Sequence, residues 1–506
     1  MSEQLTSVGV NDGAPCVLAL DIGTSSVRAL LYDASGTAIP GAQAHHTYDL
    51  TLGDDGEHSV VADRLVTLVA DCIDEVLAAP RAQAARIAAV ATDTFWHSLV
   101  PVDAAGRALM PVMTWADVRP AAAAQMLRSQ LDGVAVHRRT GARLHASYWP
   151  AKLRWLASAQ PDVFQHAARF LSFGEYLHQT FLGRAVCSLC MASGTGLLDP
   201  RARTWDAPLA TAVAVRLEQL PPLGDLRDAM RGLRADYAAR WPALRDIPWY
   251  PALGDGATAN VGSGCASAGQ IALTIGTSSA MRTIVPVEQV TLPDGLWLYL
   301  LDARRGVLGG ALSEGGNLLA WLEQTMRLSA LVDAEVAAAQ LAPDEHGLTI
   351  LPFIAGERSL GWHDSARATV TGLSLKTTPG ELLSASLEAL AYRLSAVYGQ
   401  LVVALHGGTA PMVVGSGGTL LGSPLFQQIL ADTLGVPLVP LRELEASARG
   451  AALLALEALG ALADAAAVPA QLDAPLRPDA ARGAIYRQAA ARQQRLYQTL
   501  LDESAV

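Results

Sequence analysis

Cysteine is scarce. Five residues (Cys16, Cys72, Cys187, Cys190, Cys265) in a chain of 506 are too few, and odd in number, for a fully paired disulfide framework. They suit a reducing, cytoplasmic compartment. Cys187 and Cys190 have the spacing of a metal knuckle, but no second pair completes four ligands, so they read as two small apolar residues near a strand. Long apolar runs are also missing: with no stretch of about 18 purely apolar residues, no membrane span is expected. Positive charge is in deficit, with 37 Lys and Arg against 48 Asp and Glu, a formal net charge of −11. That balance argues against nucleic acid as a partner, and any anionic substrate would need local cations to hold it against the overall field. The polar stretch 1–15 carries Glu3 and Asp12 and no basic segment followed by an apolar core, so it does not read as a secretory signal.

What is present is apolar and duplicated. With 51% hydrophobic residues the chain is a folded globular protein, not a disordered one, and its length points to two large domains. Residues 18–29 read Leu-Ala-Leu-Asp-Ile-Gly-Thr-Ser-Ser-Val-Arg-Ala, and 271–282 read Ile-Ala-Leu-Thr-Ile-Gly-Thr-Ser-Ser-Ala-Met-Arg. Each copy is an apolar strand, a glycine-permitted turn full of hydroxyls, and a returning strand. Such a turn offers a concave array of backbone N–H groups to phosphate oxygens. Either hairpin alone is a weak signal. Two suggest a duplicated nucleotide-binding fold gripping phosphates from both sides of a cleft. Asp21 of the first copy is replaced by Thr274 in the second, so only the first can hold a cation through a carboxylate.

The pattern along the chain fits two α/β units. Helical spacing is predicted over 60–79, a buried strand over 87–92 and a basic, aromatic connection into a helix over 140–156. The Pro- and Arg-rich segment 205–249 reads as surface structure with short helices. The strand ending at Thr92 runs into Asp93-Thr94-Phe95-Trp96-His97-Ser98, and polar residues just past a strand end are where open α/β sheets keep their sites. A small-residue helix is expected over 257–266, then helices over 381–405, 446–462 and 480–501, with a strand at 412–414. The units divide near 267–270, giving 15–266 and 267–502. No low-complexity linker marks the division, so they should pack closely across a cleft.

Several residues are candidates for chemistry. Gly23, Thr24, Ser25 and Ser26 can meet phosphate oxygens, Asp21 can hold Mg²⁺ through water, and Arg28 on the returning strand can reach a transferring phosphoryl group. Asp255, between Gly254 and Gly256, is placed to orient an attacking hydroxyl and take its proton, although Asp-Gly is also a common turn dipeptide. Two further glycine clusters, Gly315-Gly316-Asn317 before an apolar helix at 318–322 and Gly415-Ser416-Gly417-Gly418 at a strand end, make a plausible adenosine pocket.

These motifs together resemble the FGGY family of carbohydrate kinases, within the actin-like ATPase superfamily. The carriers are the segments 21–26, 254–256, 274–278, 352–358 and Gly417-Gly418, and the likeness spans nearly the whole chain. The resemblance implies an α/β protein of two RNase H-like domains flanking a catalytic cleft, using ATP and Mg²⁺ to phosphorylate a small sugar or polyol. It leaves room for a homodimer. By the matching motifs Asp255 would be the catalytic base, Gly276, Thr277 and Ser278 would contact phosphates, and Gly316, Asn317, Gly417 and Gly418 would line the adenosine side. Among members the chain is most similar to gluconokinases, on the segments 97–99, 114–117, 138–141, 193–196 and 274–282. Xylulokinases share His97 and the Asp255 motif. Trp96, His97, Asp117, Arg119 and Lys152 are the expected substrate side. A gluconate carboxylate requires a cation, for which Arg119, Arg143, His145 and Lys152 are candidates, although Lys152 equally suits a surface helix. Trp96 stands where the family commonly has Met. The rival class is an actin-like switch ATPase indifferent to polyols, and a non-phosphorylating sugar sensor is disfavoured by the intact Asp21 and Asp255.

Overall fold

The computed structural model describes residues 14–326, 331–405 and 410–501. The polar stretch 1–13 and residue 502, included in the sequence reading, lie outside the described residues. Two twisted sheets dominate. The first has five strands in the order Leu253–Gly254, Arg86–Thr94, Pro15–Ile22, Ser26–Tyr32, Ala38–Thr47. The second has six, in the order Trp297–Leu300, Arg305–Leu312, Ser279–Pro286, Gln270–Ile275, Met412–Ser416, Leu438–Pro440.

The duplication seen in sequence is a duplication of topology. In each sheet the first strand of a glycine hairpin is central. It pairs antiparallel with its returning strand and parallel with a strand from much later in the chain. Pro15–Ile22 is buried along nearly its whole length, as a strand covered on both faces must be.

Helices cover the sheets on apolar stripes. Ala62–Ala78, expected over 60–79, buries Leu65, Val66, Val69, Ile73 and Val76 at three- and four-residue spacing and packs on Ser26–Tyr32 and Ala38–Thr47. Pro379–Ala404 starts at a capping box formed by Thr378 and Glu381, with Pro379 in the first turn, and packs under the second sheet. The expected helices at the end of the chain occur as Ala446–Ala458 and Ala480–Leu501. Among the described residues no helix is long and apolar enough to cross a membrane.

One sequence expectation changes, and one packing relation is new. The segment 205–249 is not simply surface, because Trp241 and Trp249 are fully buried. They stack on each other and meet Phe181 edge-on, closing the outer end of the first core. The helix Ala446–Ala458, late in the chain, packs chiefly on Pro15–Ile22, Arg86–Thr94 and the helix Asp255–Gly262, and also ties to the second sheet through the Glu457–Arg305 pair. Its buried residues include Ala448, Gly450, Ala451, Ala452 and Ala455, small enough for that close approach, beside Leu453, Leu454 and Leu456. The two halves are therefore interlocked through crossing helices.

Candidate active site

The carboxyl ends of the central parallel strands of the two sheets face one cavity of about 320 Å³. Thr24 from the first hairpin lines it, as do Gly276, Thr277 and Ser278 from the second. The two glycine turns thus oppose each other across one space. In the first, the Gly23 amide donates to the Ser26 carbonyl at 3.0 Å, and the Tyr48 hydroxyl pins the Gly23 carbonyl at 2.5 Å. In the second, the Gly276 amide donates to the Ser278 carbonyl at 3.0 Å, while the Gly276 carbonyl accepts from the Gly316 amide at 2.7 Å. Ser25 and Thr277 are exposed and Ser26 is buried.

Asp255 begins the helix Asp255–Gly262 and lines the same cavity. The Gly256 amide donates to its Oδ1 at 2.7 Å. Burial raises its carboxyl to about 6; the Arg282 guanidinium holds it down in part and the Asp21 carboxylate pushes it further up. Gly254 and Gly256 lie against the Trp96 ring so closely that a Cβ on either would collide with it, at 2.0 and 2.6 Å. Trp96 is held by its indole N–H on the Cys190 carbonyl at 3.1 Å. It meets Tyr299 edge-on and leaves part of its ring on the cavity wall. His97, with a φ of 68°, lines the wall beside it and bonds through Nδ1 to the Gly194 carbonyl.

Other predicted residues stand elsewhere. Asp21 is 5% exposed and faces Arg28 at 3.3 Å, and Arg28 also reaches Glu445 at 3.3 Å. Arg28 is therefore not free to reach along the cavity. Asp117 and Arg119 form a bidentate pair behind the cavity wall, closest at 2.5 Å, with Arg119 over the Trp155 ring. Lys152 is fully buried, not on a surface helix, and its ammonium donates to the His97 and Thr114 carbonyls at 2.6 and 2.7 Å. Burial lowers it to about 7. Arg143 donates to the Asp294 carbonyl, and His145 pairs with Asp364 at 2.6 Å. None of these five is in the cavity lining. Cys187 and Cys190 are free buried thiols.

The cations that do line the cavity are Arg282 and Arg358. Arg282 is held by Asn260 and Thr274, both at 3.2 Å. Arg358 lies over the Trp115 ring at 5.7 Å and has a buried Nε with no partner. Among the described residues it is in no ion pair. Its neighbour Glu357 is turned away, paired with Arg393 and the Tyr497 hydroxyl.

A second cavity of about 480 Å³ adjoins the first at Thr277 and is lined by Gly316, Asn317, Ala320, Trp321, Gln324 and Thr419. The Asn317 side chain caps its own helix, accepting from the Gly315 and Leu318 amides. Gly417 is required by its left-handed backbone and by the Ile275 carbonyl, which a Cβ would meet at 2.3 Å. Gly418 has open space around it. The acidic cluster Asp344, His346 and Glu388 lies away from this cleft, with its oxygens already engaged by Arg492 and Tyr392.

Two joined cavities between duplicated α/β units, one basic and aromatic, the other bordered by glycines at a helix start, define a two-domain fold of the actin-like ATPase class. Residues 16–262 match the FGGY family of carbohydrate kinases, N-terminal domain, and residues 271–459 match its C-terminal domain. The chain belongs to the FGGY family of carbohydrate kinases. A gluconokinase of Bacillus subtilis (strain 168) is 24% identical over 88% of each chain. A glycerol kinase of Aromatoleum aromaticum is 30% identical over 87% of this chain and 89% of its own. Among solved structures, gluconate kinase from Lactobacillus acidophilus superposes with a TM-score of 0.88 at 25% identity, covering 96% of this chain and 98% of its own. A xylulose kinase from the same organism matches with the same TM-score and identity, over 97% and 99%. A kinase of this family acts on a small sugar-like molecule, and the family implies ATP and a divalent metal.

Proposed function

We propose that the protein transfers the γ-phosphoryl group of ATP to a hydroxyl of a sugar acid, with gluconate as substrate and 6-phosphogluconate as product. The observation that carries the sugar-acid reading is Arg358, a buried guanidinium with no carboxylate partner, opening into the cavity that Asp255 shares. A buried cation without a counter-ion is costly, and a substrate carboxylate would supply one. The similarity to gluconokinases supports the same substrate.

ATP supplies the phosphoryl group, and the divalent cation neutralises part of the triphosphate charge. The rest falls to the chain. Thr24 and Ser25 on one side and Thr277 and Ser278 on the other offer N–H and hydroxyl donors to phosphate oxygens, on turns that Gly23, Ser26 and Gly276 shape through their own hydrogen bonds. Gly316, Asn317, Gly417 and Gly418 border the adenosine side. Arg28 orients Asp21 toward the cation. Arg282 opposes negative charge near the transferring group. Asp255, ionised at neutral pH yet basic for a carboxylate, accepts the proton of the attacking hydroxyl. Trp96 and His97 face the sugar. Asp117, Arg119 and Lys152 act one layer back, Lys152 by holding the His97 and Thr114 carbonyls behind the wall that His97 and Trp115 form. Approach of the two units excludes water and so limits wasteful hydrolysis. Their boundary in this reading is at 267–270.

A pentulose kinase is the second reading, favoured by the equal likeness to a xylulose kinase; a neutral pentulose would leave Arg358 without a counter-ion. A coupled assay over gluconate, xylulose, ribulose and glycerol tests both. The highest kcat/KM is expected on gluconate. A neutral sugar in first place would replace the substrate, and ATP turnover indifferent to every sugar would replace the kinase reading with a switch ATPase.

A further inference from the structure

Asp93 touches neither hairpin turn nor the sugar wall, yet it sits at the centre of the first sheet's functional edge. It lies near the end of Arg86–Thr94 and is 0% exposed. Both of its carboxyl oxygens are buried, and among the described residues no N–H or hydroxyl donor reaches either, the neighbouring Asp21 carboxyl being the group at hand. A buried carboxylate in that condition is rare and calls for a partner.

The strand register says what partner the place suits. Asp93 lies beside Asp21 on one neighbouring strand and beside Leu253, two residues before Asp255, on the other. All three strands run parallel, so three carboxylates gather at their carboxyl ends with Asp93 in the middle. The carboxyl groups of Asp21 and Asp93 are within hydrogen-bonding reach of each other. The nearby cations are already assigned: Arg28 bonds Asp21 and Glu445, and Arg282 acts on Asp255. By formal charge, carboxyl groups therefore outnumber cations at this buried point.

We propose that Asp93 is a direct ligand of the divalent cation that accompanies ATP, sharing its coordination shell with Asp21. Mg²⁺ is held by one or two carboxylates, with water and substrate phosphates completing the shell. The Asp21–Asp93 pair supplies that number and leaves Asp255 free for the substrate hydroxyl. The inference rests on the kinase reading for the presence of the nucleotide, but the ion can be measured without it.

Mn²⁺ is the probe, titrated into the full-length protein without nucleotide and followed by electron paramagnetic resonance. Asp93→Asn, nearly isosteric, is expected to weaken Mn²⁺ binding by about tenfold or more, with a urea midpoint in EDTA no lower than that of the wild type. An affinity within about twofold of the wild type, well short of the loss expected on removing a ligand, overturns the proposal. If the variant does not fold, wild-type crystals grown with ADP and Mn²⁺ decide: an anomalous peak about 2.2 Å from an Asp93 oxygen supports the assignment, and an ion held by Asp21 without Asp93 overturns it. Neither measurement reads phosphoryl transfer. A protein that binds Mn²⁺ through Asp93 and phosphorylates no sugar would sink the kinase reading alone.

Discussion

Gly262 and Gly450 bring two helices into backbone contact. A Cβ on Gly262 would lie 1.8 Å from the Ala446 carbonyl oxygen, and one on Gly450 would lie 1.8 Å from that of Thr258. The helix carrying Gly450 follows the second sheet in the chain yet packs on the first, so this contact ties the later half of the chain to the earlier one. Gly450→Ala must therefore move backbone. We expect a loss of about 1–3 kcal/mol in urea unfolding, with kcat reduced and the KM for ATP raised. An unchanged midpoint would show that the crossing has slack.

Asp255 titrates in a useful range. Burial raises its carboxyl to about 6, with Arg282 opposing the rise and Asp21 adding to it. A base acts only when ionised. kcat/KM for the sugar should therefore fall as pH drops through about 6, approaching tenfold per unit below it. Asp255→Asn should lose about 10²–10⁴-fold in phosphoryl transfer, the usual worth of a general base, while equilibrium dialysis finds ATP binding little changed. Near-normal single-turnover rates in that variant would remove Asp255 from the role.

Arg358 can be separated from general catalysis by the charge of the substrate. Arg358→Met should cost about 1.5–3 kcal/mol of binding to a carboxylate, which reads as roughly a tenfold to hundredfold rise in KM for gluconate. The KM for a neutral polyol should move far less. Equal losses for charged and neutral substrates would mean that the guanidinium does not recognise the acid.

Lys152 makes stability depend on pH in a stated direction. Burial lowers it to about 7, with Asp117 partly offsetting that and Arg119 adding to it. Below that pH both the folded and unfolded chains carry the proton, and the folded state bears the full burden of a buried charge. Between about 7 and the unfolded value of about 10.4, the folded chain has released a proton that the unfolded chain keeps, so the burden lifts as pH rises. The urea midpoint of the wild type relative to Lys152→Met should therefore climb from about pH 7 to about pH 9. A constant difference would contradict the burial assigned to this ammonium.

The glycine hairpins were readable because every residue that makes them is contiguous, and Asp255 because it follows a strand end directly. The cations of the site were not, for two separate reasons. Arg282 is obscured by the repeat itself. In the first hairpin Asp21 pairs with Arg28, but in the second Thr274 pairs with Ala280. Counting along the repeat equates Arg28 with Met281, which is core, while the one-residue shift in register turns Arg282 to the face of Thr274. Arg358 and Lys152 differ only in partners distant in sequence: Lys152 meets two carbonyls and Arg358 meets none that would neutralise it. Burial and partners of that kind follow from tertiary packing and carry no local signature. The position of Ala446–Ala458 was hidden likewise, since an alanine-rich helix fits either sheet until its glycines find a crossing partner.

All five cysteines are buried and unpaired, so a maleimide dye should find almost nothing to label on the native protein. A thiol engineered onto each rim of the cleft would then be the sole reactive pair. The opening and shutting of the two halves could be followed by distance-sensitive fluorescence in an otherwise unaltered chain, with no native sulfur removed first.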